Sequence, residues 1–350
     1  MLSLRGKFMS ALAVGAMLAV SQAQAADPVL PTQPHPATQV TVGNPGCCAC
    51  DDCCEQHVRA WGELLYISPR NLNLAFAVPA DGCTSLVPLG EVAQVSPDDT
   101  FTFRIGVEYA VNCNTSIGVS YTRLNNKETA VAEAPEGLAL HPLVTAADLV
   151  CGEGNEILAA GAIYKTKYDI VDIDVRNVLY SCHNVNVVWL IGARWMRFEQ
   201  NFDAQFANLG DTFVTSNVDV TGYGPRVGLE GEIGLCKGTS AYAKTAASLV
   251  YGKFKADYTQ ENTFVGTQLD TSFKQERVMT IVDFEAGLAW TSCDGCWRVA
   301  AGFMVSQWYN AVTVPGVIEA VKNNRFDRHT DNLNDLIQIE GGVLRVEFRF

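Results

Sequence analysis

Strict alternation of apolar and polar residues is the feature that most limits what this chain can become. Over residues 100–111, Phe101, Phe103, Ile105, Val107, Tyr109 and Val111 fall on one side. Thr102, Arg104, Gly106, Glu108 and Ala110 fall on the other. A period of two sustained over this length specifies a strand with one apolar and one polar face. The pattern returns repeatedly. Val171, Ile173, Val175 and Leu179 oppose Asp172, Asp174 and Arg176; Val227, Leu229, Ile233 and Leu235 oppose Arg226, Gly228, Glu230 and Glu232. Val282, Phe284, Ala286, Leu288 and Trp290 oppose Asp283, Glu285 and Gly287, and Trp297, Val299, Ala301, Phe303 and Val305 oppose Arg298, Ala300 and Gly302. At the end of the chain Leu344, Val346, Phe348 and Phe350 share a face against Arg345, Glu347 and Arg349. Before Gly341-Gly342 the phase slips by one, which predicts a bulge at the glycine pair.

Turn signals divide these strands unevenly. Tight turns are expected at Asn112-Cys113-Asn114, Cys182-His183-Asn184, Cys236-Lys237-Gly238 and Cys293-Asp294-Gly295-Cys296. Long connections are expected over 71–99, 125–166, 200–217, 259–277 and 313–334. Short turns at one rim and long loops at the other are the arrangement of a membrane barrel whose short turns are periplasmic. Strands near 58–70, 101–111, 115–124, 167–181, 185–198, 218–235, 239–256, 278–291, 297–310 and 336–350 make ten; a hairpin hidden in 71–99 or 125–166 would make twelve. The expected fold is therefore all-β, an antiparallel transmembrane β-barrel of about ten strands, with a soluble β-sandwich as the competing reading.

The first 25 residues read as a secretory signal. Arg5 and Lys7 precede an apolar stretch over 8–20, and Ala23-Gln24-Ala25 offers a small-x-small cleavage site. Residues 26–57 then form a linker with Pro28, Pro31, Pro34, Pro36 and Pro45, followed by a cysteine-rich segment expected in the periplasm. The barrel occupies 58–350. No later run of apolar residues is long enough for a membrane helix. The expected location is the outer membrane of a Gram-negative cell envelope, with outer-membrane lipid as the surrounding partner. A formal net charge of −13 argues against nucleic acid as a ligand.

Twelve cysteines suit an oxidising compartment. Cys113, Cys182, Cys236, Cys293 and Cys296 fall in or beside the tight turns, and Cys47, Cys48, Cys50, Cys53 and Cys54 precede the first strand, so ten map to one rim. Cys83 and Cys151 fall in external loops, where they are placed to pair with each other. All twelve are candidates for disulfides, within the chain or to neighbouring copies; adjacent Cys47 and Cys48 suit distant partners better than each other. Overlapping C-x-x-C spacing at Cys47, Cys50 and Cys53 also suits Zn²⁺, but disulfides are the expected state here, and no metal or cofactor is expected.

Catalysis finds little support. His35, His57 and His183 lie in the linker, beside the cysteine cluster and in a turn; His141 and His329 lie in external loops without a serine motif. Gly152-x-Gly154 and Gly222-x-Gly224 lack the setting of a phosphate loop. The glycines at 222, 224, 228, 231 and 234 are expected to relieve crowding in a curved strand. Trp61, Tyr66, Trp189, Trp195, Trp290, Trp297 and Trp308 are candidates for an interfacial girdle, or for a core stripe.

Several stretches carry a family resemblance. The segment from Gly222-Tyr223-Gly224-Pro225-Arg226 to Gly231, the run Ser240-Ala241-Tyr242-Ala243-Lys244 to Gly252, Tyr168-Asp169-Ile170-Val171-Asp172 and the opening Trp61-Gly62-Glu63-Leu64-Leu65-Tyr66 together resemble the Legionella-type major outer membrane protein family, which has many planctomycete members. The resemblance covers roughly 58–350 and implies a pore-forming outer-membrane barrel, with a structural envelope role known for cysteine-rich relatives. On the strand registers, the lumen would be lined by Arg104, Glu108, Asp172, Asp174, Arg176, Arg194, Arg226, Glu230, Glu232, Lys244, Asp283, Glu285, Arg298, Arg345 and Glu347. Ten or twelve strands suit a narrow or gated pore rather than a wide one. The expected function is non-enzymatic passive diffusion of small solutes. The alternative is a closed barrel anchoring a disulfide-cross-linked envelope, as a homo-oligomer or with envelope neighbours.

Overall fold

The computed structural model describes residues 57–81, 87–147, 156–182, 184–207, 210–323 and 335–350. The expected leader, proline linker and cysteine cluster lie outside these residues, as do Cys83, Cys151, His183 and His329.

Ten strands close into one antiparallel barrel. In chain order they are β1 (Val58–Arg70), β4 (Thr100–Asn112), β5 (Thr115–Glu133), β7 (Ala159–Cys182) and β8 (Val185–Ala207), then β9 (Thr212–Cys236), β10 (Thr239–Asn262), β11 (Gly266–Thr291), β12 (Trp297–Ala311) and β13 (Asp335–Arg349). β1 closes the ring, pairing with β4 on one side and with β13 on the other, so no barrel strand is left with a free edge. Three short strands, β2 (Leu74–Ala80), β3 (Ala93–Val95) and β6 (Ala139–Pro142), make a separate sheet in the order β3-β2-β6. The barrel thus has ten strands, and the extra strands in the long connections do not join its wall.

The tight turns stand where expected, at one rim with both ends of the barrel. Cys236-Lys237-Gly238-Thr239 shows why such sequence turns tightly. Lys237 and Gly238 both have positive φ, 48° and 78°, as the two-residue hairpin turn that matches strand twist requires. At the opposite end two expected long loops are instead strand. Residues 200–217 and 259–277 are mostly the outer ends of β8, β9, β10 and β11.

The reason is an inversion along each strand. In β10, Thr245, Ala247, Leu249 and Tyr251 face outward near the turn end, with Lys244, Ala246 and Ser248 inward. Further on, Lys253, Lys255 and Asp257 face outward while Phe254, Ala256 and Tyr258 are buried inside. The strands of 24 and 26 residues in β10 and β11 are more than twice what a bilayer crossing needs, about 9–11 residues. The outward apolar band marks the membrane segment; beyond it the wall is wetted outside and apolar inside. No helix among the described residues is long and apolar enough to cross a membrane.

The same inversion explains Gly341-Gly342. β13 pairs with both neighbours without a register shift there, so the glycine pair is not a bulge. Ile337, Ile339, Val343, Arg345 and Glu347 all lie on the buried face. What changes at the glycines is the content of the lumen, from apolar to charged. Gly341 itself is required, since a Cβ would lie 2.0 Å from the Tyr66 carbonyl oxygen.

Candidate functional site

The lumen has two layers. In the outer one, beyond the membrane band, inward side chains of the wall and the long connections share one apolar core. Trp308 is 1% exposed and packs against Tyr168 and Phe198, with ring centroids 5.6 and 5.3 Å apart. Phe202, Phe206, Val214, Val218, Phe254 and Ile281 come from the wall; Leu72, Phe76, Leu140 and Val144 come from the connections holding the small sheet.

A helix completes this plug. Asn310, at φ 62°, breaks the β12 register after Trp308 and turns the chain away from the wall. α1 (Val314–Lys322) follows, with Thr313 as N-cap accepting from the Gly316 N–H and Pro315 in the first turn, where its missing N–H costs nothing. Its buried face is Val314, Val317, Ile318 and Ala320. Fully burying each of the larger three contributes about 1.5–3 kcal/mol.

Buried polar groups of the wall tie the plug down. Gln200 Oε1 accepts from the Val314 N–H at 2.9 Å. Gln260 Oε1 accepts from the N–H groups of Ala146 and Ala147 at 2.9 and 3.1 Å, and Tyr258 donates to the Val144 carbonyl at 2.8 Å. Lys322 donates to the Leu143 carbonyl, so the helix and the small-sheet connection also hold each other. Burial, then the nearby Lys322 ammonium, holds the His141 imidazole below its ordinary pKa.

The inner layer, within the membrane band, is charged. All fifteen residues expected in the lumen point inward, and three more join them: Arg59, Glu63 and Arg349. Nine cations and nine carboxylates then form three clusters.

At the turn rim, Arg176 holds Glu108 at 3.1 Å and Glu230 at 3.2 Å, and Arg59 pairs with Glu108 and Glu347. Arg298 reaches Glu232 at 3.1 Å and Glu347 at 3.6 Å, while Arg349 adds a 3.0 Å contact to Glu347. A second cluster joins Arg104, Lys244 and Arg345 to Glu63 and Glu285. The third joins Arg194 and Arg226 to Asp172, Asp174 and Asp283. Its centre is a bidentate pair, Arg194 to Asp172 at 2.7 and 2.9 Å, with Asp283 at 2.8 Å from the Nη2 that also bonds Asp172. Planar guanidinium against carboxylate is the geometry that survives removal from water.

Cavities remain in this layer. One of about 260 Å³ lies at the turn rim, lined among others by Arg59, Glu108, Asn112, Arg176, Glu230, Glu232, Lys244 and Arg298. A smaller one of about 90 Å³ lies between the charges and the plug and is lined by Trp61, Arg104, Asp172, Arg194, Trp308 and Ile339. Trp61 thus faces the lumen, not the membrane. It sits under Arg345, 5.0 Å from its ring, and over Gly106, where a Cβ would lie 2.4 Å from the indole. Trp308 is likewise a core residue, whereas Tyr66, Trp189, Trp195, Trp290 and Trp297 do face outward. Of the candidate cysteines, Cys113, Cys182, Cys236, Cys293 and Cys296 lie at the turn rim, the first four exposed.

Comparison with known proteins agrees with this geometry. Residues 53–334 match the family described as Legionella pneumophila major outer membrane protein precursor. The chain belongs to this family. It is accordingly an outer-membrane β-barrel, with its short turns on the periplasmic side and the plug on the external side. Among solved structures, it is similar to the outer membrane protease OmpT from Escherichia coli, at 10% identity and a TM-score of 0.45, covering 84% of this chain and 97% of that one. It is also similar to the Pseudomonas putida toluene transporter TodX, at 9% identity and TM-score 0.34, covering 84% and 90%, and to the Ralstonia pickettii toluene transporter TbuX, at 10% identity and TM-score 0.32, covering 85% and 90%. No curated protein matches the chain.

Proposed function

We propose that this barrel is a non-enzymatic gated pore for small polar solutes, closed in the described conformation by its external plug. The observation carrying this reading is the division of the lumen. Through the membrane band it is lined by paired charges around cavities of about 260 and 90 Å³, whereas the external layer is filled by the long connections packed against apolar side chains of the wall. Polar lining serves hydrated solutes, and a plug built from chain connections rather than from wall strands is a unit that can open locally while the barrel stays closed. Conductance of the refolded protein in planar bilayers tests the reading. Rare discrete openings are expected, becoming frequent when Gln200→Leu and Gln260→Leu remove the plug's polar tethers. Silence from both folded proteins would overturn it.

A second reading is a closed barrel acting as an anchor, cross-linked to neighbours in the envelope. The observation favouring it is the set of five described cysteines gathered at the periplasmic rim, four of them exposed. Gels of whole envelopes with and without reductant separate the two readings: a high-mass ladder collapsing on reduction supports the anchor.

A further inference from the structure

We infer that the outward face of β5, β7 and β8, at the external edge of the membrane band, binds the phosphate groups of outer-leaflet lipid. The inference rests on the outer-membrane placement of the barrel, not on whether its lumen conducts.

The position follows from the strand register. β5 leaves the periplasmic rim at Thr115 and turns Ile117, Val119 and Tyr121 outward before its first outward charge, Arg123. That stretch is about the 9–11 residues that one bilayer crossing needs. Val171 on β7 and Trp195 on β8 lie in one row with Tyr121, and Asp169 and Arg197 lie in the next row with Arg123. Two further rows follow outward: Asn125, Lys167 and Glu199, then Lys127, Lys165 and Asn201. A chain with a formal net charge of −13 thus sets five cations against two carboxylates in one patch at the edge of the lipid.

Charge pairing gives an independent observation. Both carboxylates are engaged: Asp169 accepts from Tyr121 at 2.5 Å and lies 3.9 Å from Arg123, and Glu199 pairs with Arg197. Lys127, Lys165 and Lys167 pair with no carboxylate among the described residues. Lys127 and Lys165 moreover stand directly opposite each other, with Lys167 diagonal to Lys127. Like charges directly opposite in an antiparallel pair repel, so the fold by itself gains nothing from this arrangement. An external anion turns the repulsion into attraction, and ammonium groups on flexible stems converge on it readily. Lys255 and Lys274 are opposed in the same way on β10 and β11, but there Asp257 pairs with Lys255 at 2.7 Å and Glu276 with Lys253 at 3.5 Å, so that face is balanced.

The neighbouring surface points to lipid as the source of the phosphate. Phe103 on β4 stands directly opposite Arg123, with Phe101 two residues further out; both rings are exposed, and Phe103 packs 6.3 Å from the Tyr121 ring. An apolar edge beside unpaired cations fits a ligand with acyl chains and an anionic head. Free phosphate would meet only wetted lysines on an open wall, where ion pairing is weak.

Native mass spectrometry of the mature barrel in neutral detergent, titrated with diphosphorylated lipid A and separately with its dephosphorylated form, tests the site. Saturable lipid A adducts are expected, with the dephosphorylated lipid at least about tenfold weaker. An excess of inorganic phosphate of about tenfold should not displace the lipid. Affinity should fall about tenfold or more in Lys127→Gln/Lys165→Gln, checked for folding by heat-modifiable gel mobility. It should be kept in Lys127→Arg/Lys165→Arg and in the charge-matched control Lys255→Gln/Lys274→Gln. Equal binding of the two lipids would overturn the inference, as would full affinity in the folded Gln variant or an equal loss in the control. Displacement by inorganic phosphate would also overturn it, by showing a site for the free anion instead of lipid.

Discussion

The outer and inner halves of this lumen are walled by the same ten strands and filled by opposite chemistries. Outside the membrane band, the wall borrows apolar loops and a helix to make an interior like that of a soluble protein. Inside the band, where the outer surface must be apolar for lipid, the inward positions carry paired charges. One strand such as β13 serves both halves by keeping its buried face constant and changing what that face presents, Ile337 and Ile339 first, then Arg345 and Glu347. Barrel closure satisfies the backbone throughout, so side chains alone decide whether a layer is packed or polar.

The contrast can be broken from either side. The largest effect is expected in the outer half. Trp308→Ala, which empties the centre of the plug core, should cost about 3–5 kcal/mol in denaturant unfolding of the refolded barrel. A negligible loss would mean that the plug is not packed as described.

Arg194→Leu attacks the inner half and should cost about 3 kcal/mol, because it leaves Asp172 with only Arg226 at 3.8 Å and Asp283 with only the Ser306 hydroxyl. The lower end of the usual range is expected since the Asp283 side chain is 25% exposed and water reaches it. Replacing Arg194 and Asp172 together by leucine should recover much of that loss. A double variant as damaged as the single one would show that the pair was not the source.

A smaller effect separates the halves at their tether. Gln200→Leu, leaving the buried Val314 N–H without an acceptor, should cost about 1–3 kcal/mol and raise proteolysis of the 312–323 segment while leaving the barrel intact. The smallest effect is a pH dependence. The His141 pKa is lowered in the fold, so the unfolded chain takes up a proton first. Stability is fully present above the unfolded value near 6.5 and falls as pH drops below it. His141→Gln should flatten that slope between pH 7 and 5.5; an unchanged slope would place the titration elsewhere.

The legible part of the fold was the membrane band. There the alternation is apolar out and polar in, as Phe101 to Val111 show, and it located ten strands, their tight turns and fifteen lumen residues. The outer extensions look like loops in the sequence because their alternation is reversed. Lys253, Lys255 and Asp257 look like a solvated connection until Phe254, Ala256 and Tyr258 are seen to face a core. The same reversal made Gly341-Gly342 resemble a bulge. Arg59 and Glu63 escaped because Trp61 stands between them on the same face and reads as a membrane aromatic. Only the Gly106 opposite, leaving room for an indole, hints at the true direction. Gln200 and Gln260 had no sequence signal at all, since their partners are backbone N–H groups more than a hundred residues away.

The most direct test of the central claim, a polar conduit closed by a removable plug, is single-channel recording of the wild type beside the Gln200→Leu/Gln260→Leu variant. The account predicts sparse discrete openings in the first and frequent openings in the second, with a current altered by Arg226→Gln in the lumen and untouched by Lys255→Gln on the outer wall. A folded pair that stays silent, or conducts alike, would contradict it.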